Sequence, residues 1–555
     1  MEILMKMEDF HFGCKNNKKE ESNMKRNILI GGAWPYANSS LHLGHIAGLI
    51  SGDFLARYYR LKGDNVLYVS GSDCHGTPIT ERAKKEKCSP KDIASKYDEE
   101  FNRMFEGYQF SYDLYSRTFE DYHKEKVKEL FRKLYDNGYI YEKIEPQAYC
   151  EHCNKFLSDR EIILECPECG AETKGDQCDS CLHVPTGKEL MDGNCIDCGS
   201  KVVERENKVL YLALSKFQKQ IEDHTEKVKS EWRINAQNET TKYLKQGLLD
   251  RAVTRDLTWG VDIPIDGYDD KKMYVWIDAV LGYVTNTMKL CEERKDCTWE
   301  DFWKEGHNNK IYMCHGKDNI MFHSIILNAL LLGQEENYHL VDTIVSAEYL
   351  NFNDQKFSKS KGIGMTALEA LDLYNSDSLR YHLLSNGPEK KDTNFTIEDF
   401  ENTHNGEILN KFGNLVNRTL RFKGLEEVPA GNLDEKIKDS IEKTYEEVGE
   451  LIEKLEFREA VKRVMELVEL GNKFYDEKEP WIAKKENIEE FNNIIYTCTV
   501  IIANLSNLFE PVMPTACKKI RKYLNLPEGS WNFITVEKEL KLENIEPLFS
   551  RIEKK

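Results

Sequence analysis

The chain has 555 residues, a hydrophobic share of 40% and a formal net charge of −19. That length holds three or four domains with sizeable cores, and no run of 18 or more apolar residues is present, so no transmembrane helix is predicted. The acidic balance excludes a protein that coats nucleic acid by general basicity, while leaving room for a local basic patch.

In chain order, residues 1–24 are charged and lack an apolar signal core, which predicts a disordered N-terminal extension of a cytoplasmic protein. Asn27-Ile28-Leu29-Ile30-Gly31-Gly32 is short, apolar and glycine-terminated, and reads as a buried strand of a parallel sheet. Pro35 keeps Trp34 extended, Asn38, Ser39 and Ser40 offer N-caps, and a helix is predicted to about Gly63. His42 and His45 lie three apart in His42-Leu43-Gly44-His45, so they share one face of its first turn. Helix N-termini attract phosphate, and two imidazoles there suit charge developing on a nucleotide. Alone, the pair reads equally well as two surface histidines.

Val66-Leu67-Tyr68-Val69 is a second buried strand, and it leads into Ser72-Asp73-Cys74-His75-Gly76-Thr77-Pro78. Ligands of open α/β sheets sit at the carboxyl ends of strands, where Asp73 is placed to receive an ammonium. The alternative is a helix-capping aspartate. Eight of the 16 cysteines then form four Cys-x-x-Cys pairs: Cys150/Cys153, Cys166/Cys169, Cys178/Cys181 and Cys195/Cys198. Each pair is a knuckle aiming two thiolates at one point, so eight ligands predict two structural zinc ions with closed shells. Nested pairing puts Cys166, Cys169, Cys178 and Cys181 inside and the other four outside; sequential pairing is the alternative.

After this insert, Tyr274-Val275-Trp276-Ile277-Asp278-Ala279 reads as another strand end. Ile311-Tyr312-Met313-Cys314 is a strand leading to Gly316-Lys317-Asp318-Asn319, and the helix after it carries His323. Lys317 and Asp318 are placed for phosphate and for ribose or amino acid. Lys356-Phe357-Ser358-Lys359-Ser360 follows, a positive loop with Gly362 and Gly364 suited to the β- and γ-phosphates of a nucleotide. Beyond residue 400, Leu433, Ile437, Ile441, Tyr445, Val448, Ile452 and Leu455 recur at three- and four-residue steps, as do Val461, Val464, Met465, Val468 and Tyr475. These are amphipathic helices of a bundle.

The histidine motif and the lysine loop together resemble the ATP-handling signature of class I aminoacyl-tRNA synthetases. With Ala33-Trp34-Pro35-Tyr36-Ala37-Asn38, the Asp73 segment, the double knuckles, Asn414-Leu415-Val416-Asn417-Arg418 and Glu479-Pro480-Trp481, residues 25–545 resemble the methionyl-tRNA synthetase family. The resemblance implies a Rossmann-type α/β catalytic domain split by a zinc-binding insert, then an α-helical anticodon-binding bundle. The expected segments are 25–140 and 246–345 for the catalytic halves, 141–245 for the insert, 346–400 for the lysine loop and stem-contact region, 401–545 for the bundle, and 546–555 for a tail.

The implied activity is activation of L-methionine with Mg-ATP, then transfer to the 3′ end of tRNA(Met). By the same resemblance Asp73 holds the methionine ammonium, and Trp34, Tyr36, Trp276, Ala279, Tyr283 and His323 line the side-chain pocket, where Tyr283 and His323 can offer the sulfur a weak hydrogen bond. His42, His45, Lys317, Asp318, Lys356 and Lys359 surround ATP, and Arg255 lies beside the reacting groups. Asn414, Arg418, Pro480 and Trp481 read the CAU anticodon, although Trp481 also suits a core aromatic. Many family members have Met at the position of Phe357, and many bacterial ones Leu at Trp34 and Ile at Asn319; with four knuckles, the chain resembles the subtype common in archaea and eukaryotes and also found in bacteria. The dimerising domain appended to some members does not follow the bundle, so a monomer is expected. The rivals are a class I synthetase for leucine, isoleucine, valine or cysteine, and a zinc-ribbon RNA-binding protein without catalysis.

Overall fold

The computed structural model describes residues 25–355 and 364–553, except 176, 177, 179, 182 and 184. Five strands form its central parallel sheet: β1 (Asn27–Gly32), β2 (Asn65–Ser72), β3 (Leu114–Arg117), β4 (Asn309–Gly316) and β5 (Thr343–Ala347). Their order is β5-β4-β1-β2-β3, so the chain winds outward from β1 in both directions. Ile30 registers against Tyr312 on one side and Tyr68 on the other. Helices cover both faces, which is why Ile28, Leu29, Ile30, Leu67 and Tyr68 are all fully buried and the strands read as unbroken apolar runs. The topological switch falls at β1, and the carboxyl ends of β1 and β4 open the crevice there.

Helix α1 (Leu43–Leu61) follows β1. Its N-cap is His42, not one of the three polar residues before it. Nδ1 of His42 accepts the Gly44 amide (3.1 Å) and Nδ1 of His45 accepts the His42 amide (3.1 Å), a reciprocal box built from two imidazoles. Helix α2 (Val275–Arg294) begins where a strand end was expected. The segment is apolar on nearly every face, and a short apolar run cannot be told from a strand by periodicity alone.

The insert rises on a two-stranded ribbon, Ile140–Cys150 against Val203–Leu212, paired antiparallel from Ile140↔Leu212 to Tyr149↔Val203. The ribbon delivers the cysteine knuckles at its far end. Past the sheet, α3 (Glu435–Glu453), α4 (Phe457–Lys478) and α5 (Ile488–Leu508) form the bundle. Ile437, Ile441, Tyr445, Val448, Ile452 and Leu455 are buried, as are Val461, Val464, Met465, Val468 and Tyr475. All but Tyr475, which packs in a separate cluster with Phe491 and Ile495, join one continuous core with Ile46, Ile50 and Phe54 of α1. A fully buried ion pair, Arg380 Nη2 to Asp53 Oδ2 at 2.6 Å, ties that core together. Arg380 also donates to the carbonyls of Tyr108, Pro511 and Val512, so the guanidinium is well satisfied despite its burial. Among the described residues no helix is long and apolar enough to cross a membrane.

Candidate active site and metal centres

A cleft of about 410 Å³ opens over the carboxyl ends of β1 and β4. Trp34, Tyr36, His42, His45, Asp73, Trp276, Ala279, Tyr283, Asp318 and His323 all line it. Residues separated by almost the whole catalytic sequence therefore share one wall.

Asp73 lies one residue past β2 and pairs with Tyr36 as an isolated parallel bridge. Its side chain does not cap a helix, because the N-cap of the next helix is Gly76. The carboxylate is 3% exposed, and its one side-chain hydrogen bond among the described residues is with the His75 amide at 3.5 Å. Burial, and then the nearby carboxylate of Asp278, hold its pKa well above the usual range. Two neighbouring buried acids make a site where an ammonium is favoured.

In the same cavity Tyr283 Oη lies 2.8 Å from His323 Nε2, while His323 Nδ1 lies 2.9 Å from the Asn319 carbonyl. Burial lowers the His323 pKa to about 4, so the ring is neutral near pH 7. A carbonyl only accepts, so Nδ1 carries the proton and Nε2 takes the one from Tyr283. Both donors are thus committed within the protein, which corrects the expectation that they point hydrogen bonds at a sulfur. The floor presents ring faces, ring edges and the Tyr283 oxygen. His323 sits in a single π-helical turn (Phe322–Ile326), and its ring stacks on His315 at 4.3 Å.

Trp34 forms the side wall. A Cβ on Gly282 would lie 2.5 Å from its ring, and one on Gly71 2.5 Å from the ring and 2.6 Å from the Ser116 carbonyl. Those two glycines create the space the indole occupies, and the motif reading passed over both. Trp276, 37% exposed, packs edge-on against Phe322 at the mouth. Tyr36 donates its hydroxyl to the His75 carbonyl.

His42 and His45 stand at the first turn of α1 with ring centroids 3.9 Å apart. Since each Nδ1 accepts an amide proton, each neutral ring carries its proton on Nε2 and is a hydrogen-bond donor there. Lys317 is a neighbour of the cleft and bonds Glu348 (2.7 Å) and Asp392 (2.8 Å). Burial works against its charge, but the bonds to Asp392 and Glu348 outweigh it and raise its pKa. Asp318 accepts from Tyr349. Arg255 is not on the cleft wall; its guanidinium lies 4.2 Å over the Tyr274 ring and donates to the Ala252 and Thr254 carbonyls. Lys356 and Lys359 fall outside the described residues.

The eight knuckle cysteines gather into two groups, Cys150/Cys153/Cys195/Cys198 and Cys166/Cys169/Cys178/Cys181. This is the nested arrangement. Sulfur separations of 3.4 and 3.9 Å in the first, and 3.6 Å twice in the second, match the roughly 3.8 Å edge of a tetrahedron with 2.3 Å metal–sulfur arms. Gly170 and Gly199, at φ +72° and +73°, turn two knuckles back so that their amides reach the Cys166 and Cys195 carbonyls at 2.8 Å. Either group could hold a metal ion.

In the bundle, Arg418 lies over the Tyr475 ring at 4.1 Å, with Trp481 6.2 Å from that ring on the other helix. Arg418 donates to Asp476 (2.6 Å) and to the Asn472 carbonyl (2.7 Å). Trp481 is 45% exposed, so it is not the core aromatic that sequence alone favoured. Pro480 is buried at the start of its helix, and Asn414 is exposed.

A switch-point cleft with a donor-bearing helix N-terminus at one end and a buried acid at the other defines an α/β enzyme that handles a nucleotide and an amine-bearing substrate. Residues 28–420 match the family model "tRNA synthetases class I (M)", and residues 426–549 match "Anticodon binding domain of methionyl tRNA ligase". The chain is 46% identical over 532 residues to methionine–tRNA ligase 1 of Alkaliphilus oremlandii, covering 95% of this chain and 98% of that one. It is 46% identical over 536 residues to methionine–tRNA ligase of Bacillus mycoides, covering 95% and 97%. The fold is shared with Mycobacterium tuberculosis methionyl-tRNA synthetase in complex with methionyl-adenylate (TM-score 0.77, 23% identity, 95% of this chain and 100% of that chain). The chain belongs to the methionine–tRNA ligase family of class I tRNA synthetases.

Proposed function

We infer that the protein activates L-methionine with ATP, releasing pyrophosphate, and transfers the methionyl group to the 3′-terminal adenosine of tRNA(Met). The observation that carries this reading is the single cleft holding Asp73, Tyr283 and His323 at one end and His42 and His45 at the other. Methionine binds with its ammonium on Asp73 and its thioether among Trp34, Tyr36, Trp276, Ala279, Tyr283 and His323; sulfur is polarizable and gains from aromatic edges. The methionine carboxylate attacks the α-phosphorus of ATP, and pyrophosphate leaves.

His42 and His45 donate Nε2 protons to charge developing on the phosphates, and Lys317, Lys356 and Lys359 neutralise the triphosphate. Asp318 meets the nucleoside side, and Arg255, behind Tyr274, lies beside the reacting groups. Magnesium, entering with ATP, offsets phosphate charge. The two four-cysteine groups hold structural zinc, since four thiolates fill the shell and leave no open position for catalysis. Asn414, Arg418, Pro480 and Trp481 read the CAU anticodon, with Trp481 as an exposed stacking platform and Arg418 as the hydrogen-bonding partner. This is work of the translation machinery, in the cytoplasm.

The test is aminoacylation of tRNA transcripts. Methionine should load onto a transcript with a CAU anticodon at least about 10²-fold better than onto the same transcript with an altered anticodon. Equal loading would remove the anticodon assignment, and no loading of either would remove the transfer step.

A further inference from the structure

Asp278, the second of the two buried acids, is fully buried beside Ala279 on the cleft wall. Its Oδ2 lies 2.8 Å from His75 Nδ1, across 203 positions of sequence. His75 is a junction. Its ring meets Asp278, its amide N–H meets Asp73 Oδ1 at 3.5 Å, and its carbonyl accepts from Tyr36. The backbone of one residue thus contacts both an acid and a phenol of the cleft, and its side chain is anchored elsewhere.

The segment needs an anchor. After Ser72 the strand has ended, and Gly76 turns through φ +97°, so no ladder holds Cys74–Gly76. Among the described residues, Cys74 and His75 are held by side chains. The Trp259 indole N–H donates to the Cys74 carbonyl at 2.6 Å, and the Thr118 hydroxyl accepts the Cys74 amide at 3.0 Å. Asp278 holds the next residue. It projects from the first turn of α2, a 20-residue helix that also carries Trp276, Ala279 and Tyr283. The cavity has two halves: the β2 loop with Asp73 and Tyr36, and α2 with the aromatic wall. The bond between Asp278 and His75 joins the halves.

We propose that Asp278 is a positioning residue for methionine recognition, which acts through the His75 ring to set the distance between the ammonium site at Asp73 and the thioether pocket on α2. The proposal rests on the reading that Asp73 holds the ammonium. It accounts for a fully buried acid in a helix turn where an apolar residue would pack more simply: an uncompensated buried carboxylate is costly, and the His75 ring is its side-chain partner among the described residues. Ligand binding that depends on two ends being held at the correct spacing loses affinity when the spacing relaxes, while the chemistry at the phosphates is untouched.

The experiment is methionine-dependent ATP–pyrophosphate exchange with the full-length protein. Asp278→Ala should raise the methionine KM at least tenfold, with kcat within threefold and the ATP KM within twofold of wild type. Asp278→Asn, whose amide can keep a bond to Nδ1, should recover a methionine KM within threefold of wild type. His75→Ala should match Asp278→Ala, and the double variant should be no worse than either single one.

An unchanged methionine KM in Asp278→Ala would overturn the proposal. So would equal losses in kcat and in the ATP KM, or an Asp278→Asn variant as impaired as the alanine. If Asp278→Ala fails to fold, His75→Ala and Asp278→Asn decide the matter by the same criteria. Asp73→Ala is measured in parallel. If it retains the wild-type methionine KM, the Asp73 reading itself fails; if it loses activity while Asp278→Ala does not, only the present proposal fails.

Discussion

Tyr283 donates its hydroxyl proton to Nε2 of His323 across 2.8 Å, because the Asn319 carbonyl has already taken the Nδ1 proton. The floor of the cavity is therefore a neutral, internally satisfied pair. Tyr283→Phe would leave a buried acceptor unpaired, at a cost of about 1–3 kcal/mol. The expected outcome is a methionine KM roughly tenfold higher with the ATP KM unchanged, read by pyrophosphate exchange. A wild-type methionine KM would mean that the pair does not shape the pocket.

The indole of Trp34 fits because two glycines leave it room. Gly71→Ala would drive its Cβ toward the Ser116 carbonyl as well as the indole, whereas the three atoms nearest a Gly282 Cβ all belong to the indole. Both should weaken methionine binding, and Gly71→Ala should also lower thermal stability, by about 1–3 kcal/mol, since backbone cannot swing aside. Thermal unfolding of the two variants side by side checks the order.

Zinc content distinguishes the cysteine pairings directly. Cys150 and Cys195 fall in one group, so the double substitution Cys150→Ser/Cys195→Ser should reduce zinc from two ions per chain to one. Under sequential pairing each would belong to a different site, and both ions would be lost. Elemental analysis after dialysis gives the count. Chelation of both ions should unfold the head of the insert while the parallel sheet persists.

Burial lowers the pKa of His123 to about 3 and those of His323 and His382 to about 4. A histidine in the unfolded chain titrates near about 6.5, so the unfolded state binds more protons between pH 6.5 and 4. Stability from these groups is fully present above pH 6.5 and is lost as pH falls toward 4. For His382 alone the whole window is worth on the order of 3 kcal/mol. Urea midpoints should fall between pH 6.5 and 5, and His382→Gln should show a shallower fall.

Trp481 is exposed beside Tyr475 and Arg418, far along the sequence from the cleft residues. Trp481→Ala should leave pyrophosphate exchange within twofold of wild type and reduce tRNA charging by about 10-fold or more, as loss of a base-stacking platform worth about 1–3 kcal/mol requires. Loss of exchange in this variant would argue for a structural role.

Much of this was readable in the residues. The switch-point strands announce themselves as unbroken apolar runs because both sheet faces are covered, and the bundle helices because only one face is. The knuckles carry their geometry in their spacing, and the short inner loop favours the nested partners that the two cysteine groups bear out. The start of α2 mimics a strand end because its short run is largely apolar, with Asp278 as the exception. The Asp278–His75 contact, the glycines under Trp34 and the fixed proton of Tyr283 had no signature, since each arises from atoms brought together over long sequence separations. Arg255 shows the converse: a residue singled out by resemblance that stacks on Tyr274 outside the cleft wall.

The central claim is that one cleft brings a nucleotide and methionine together. ATP–pyrophosphate exchange measured with each amino acid in turn tests it most directly. Methionine should drive exchange at least about 10²-fold faster than leucine, isoleucine, valine or cysteine. Exchange driven by one of those four in place of methionine, or by none, would contradict the account.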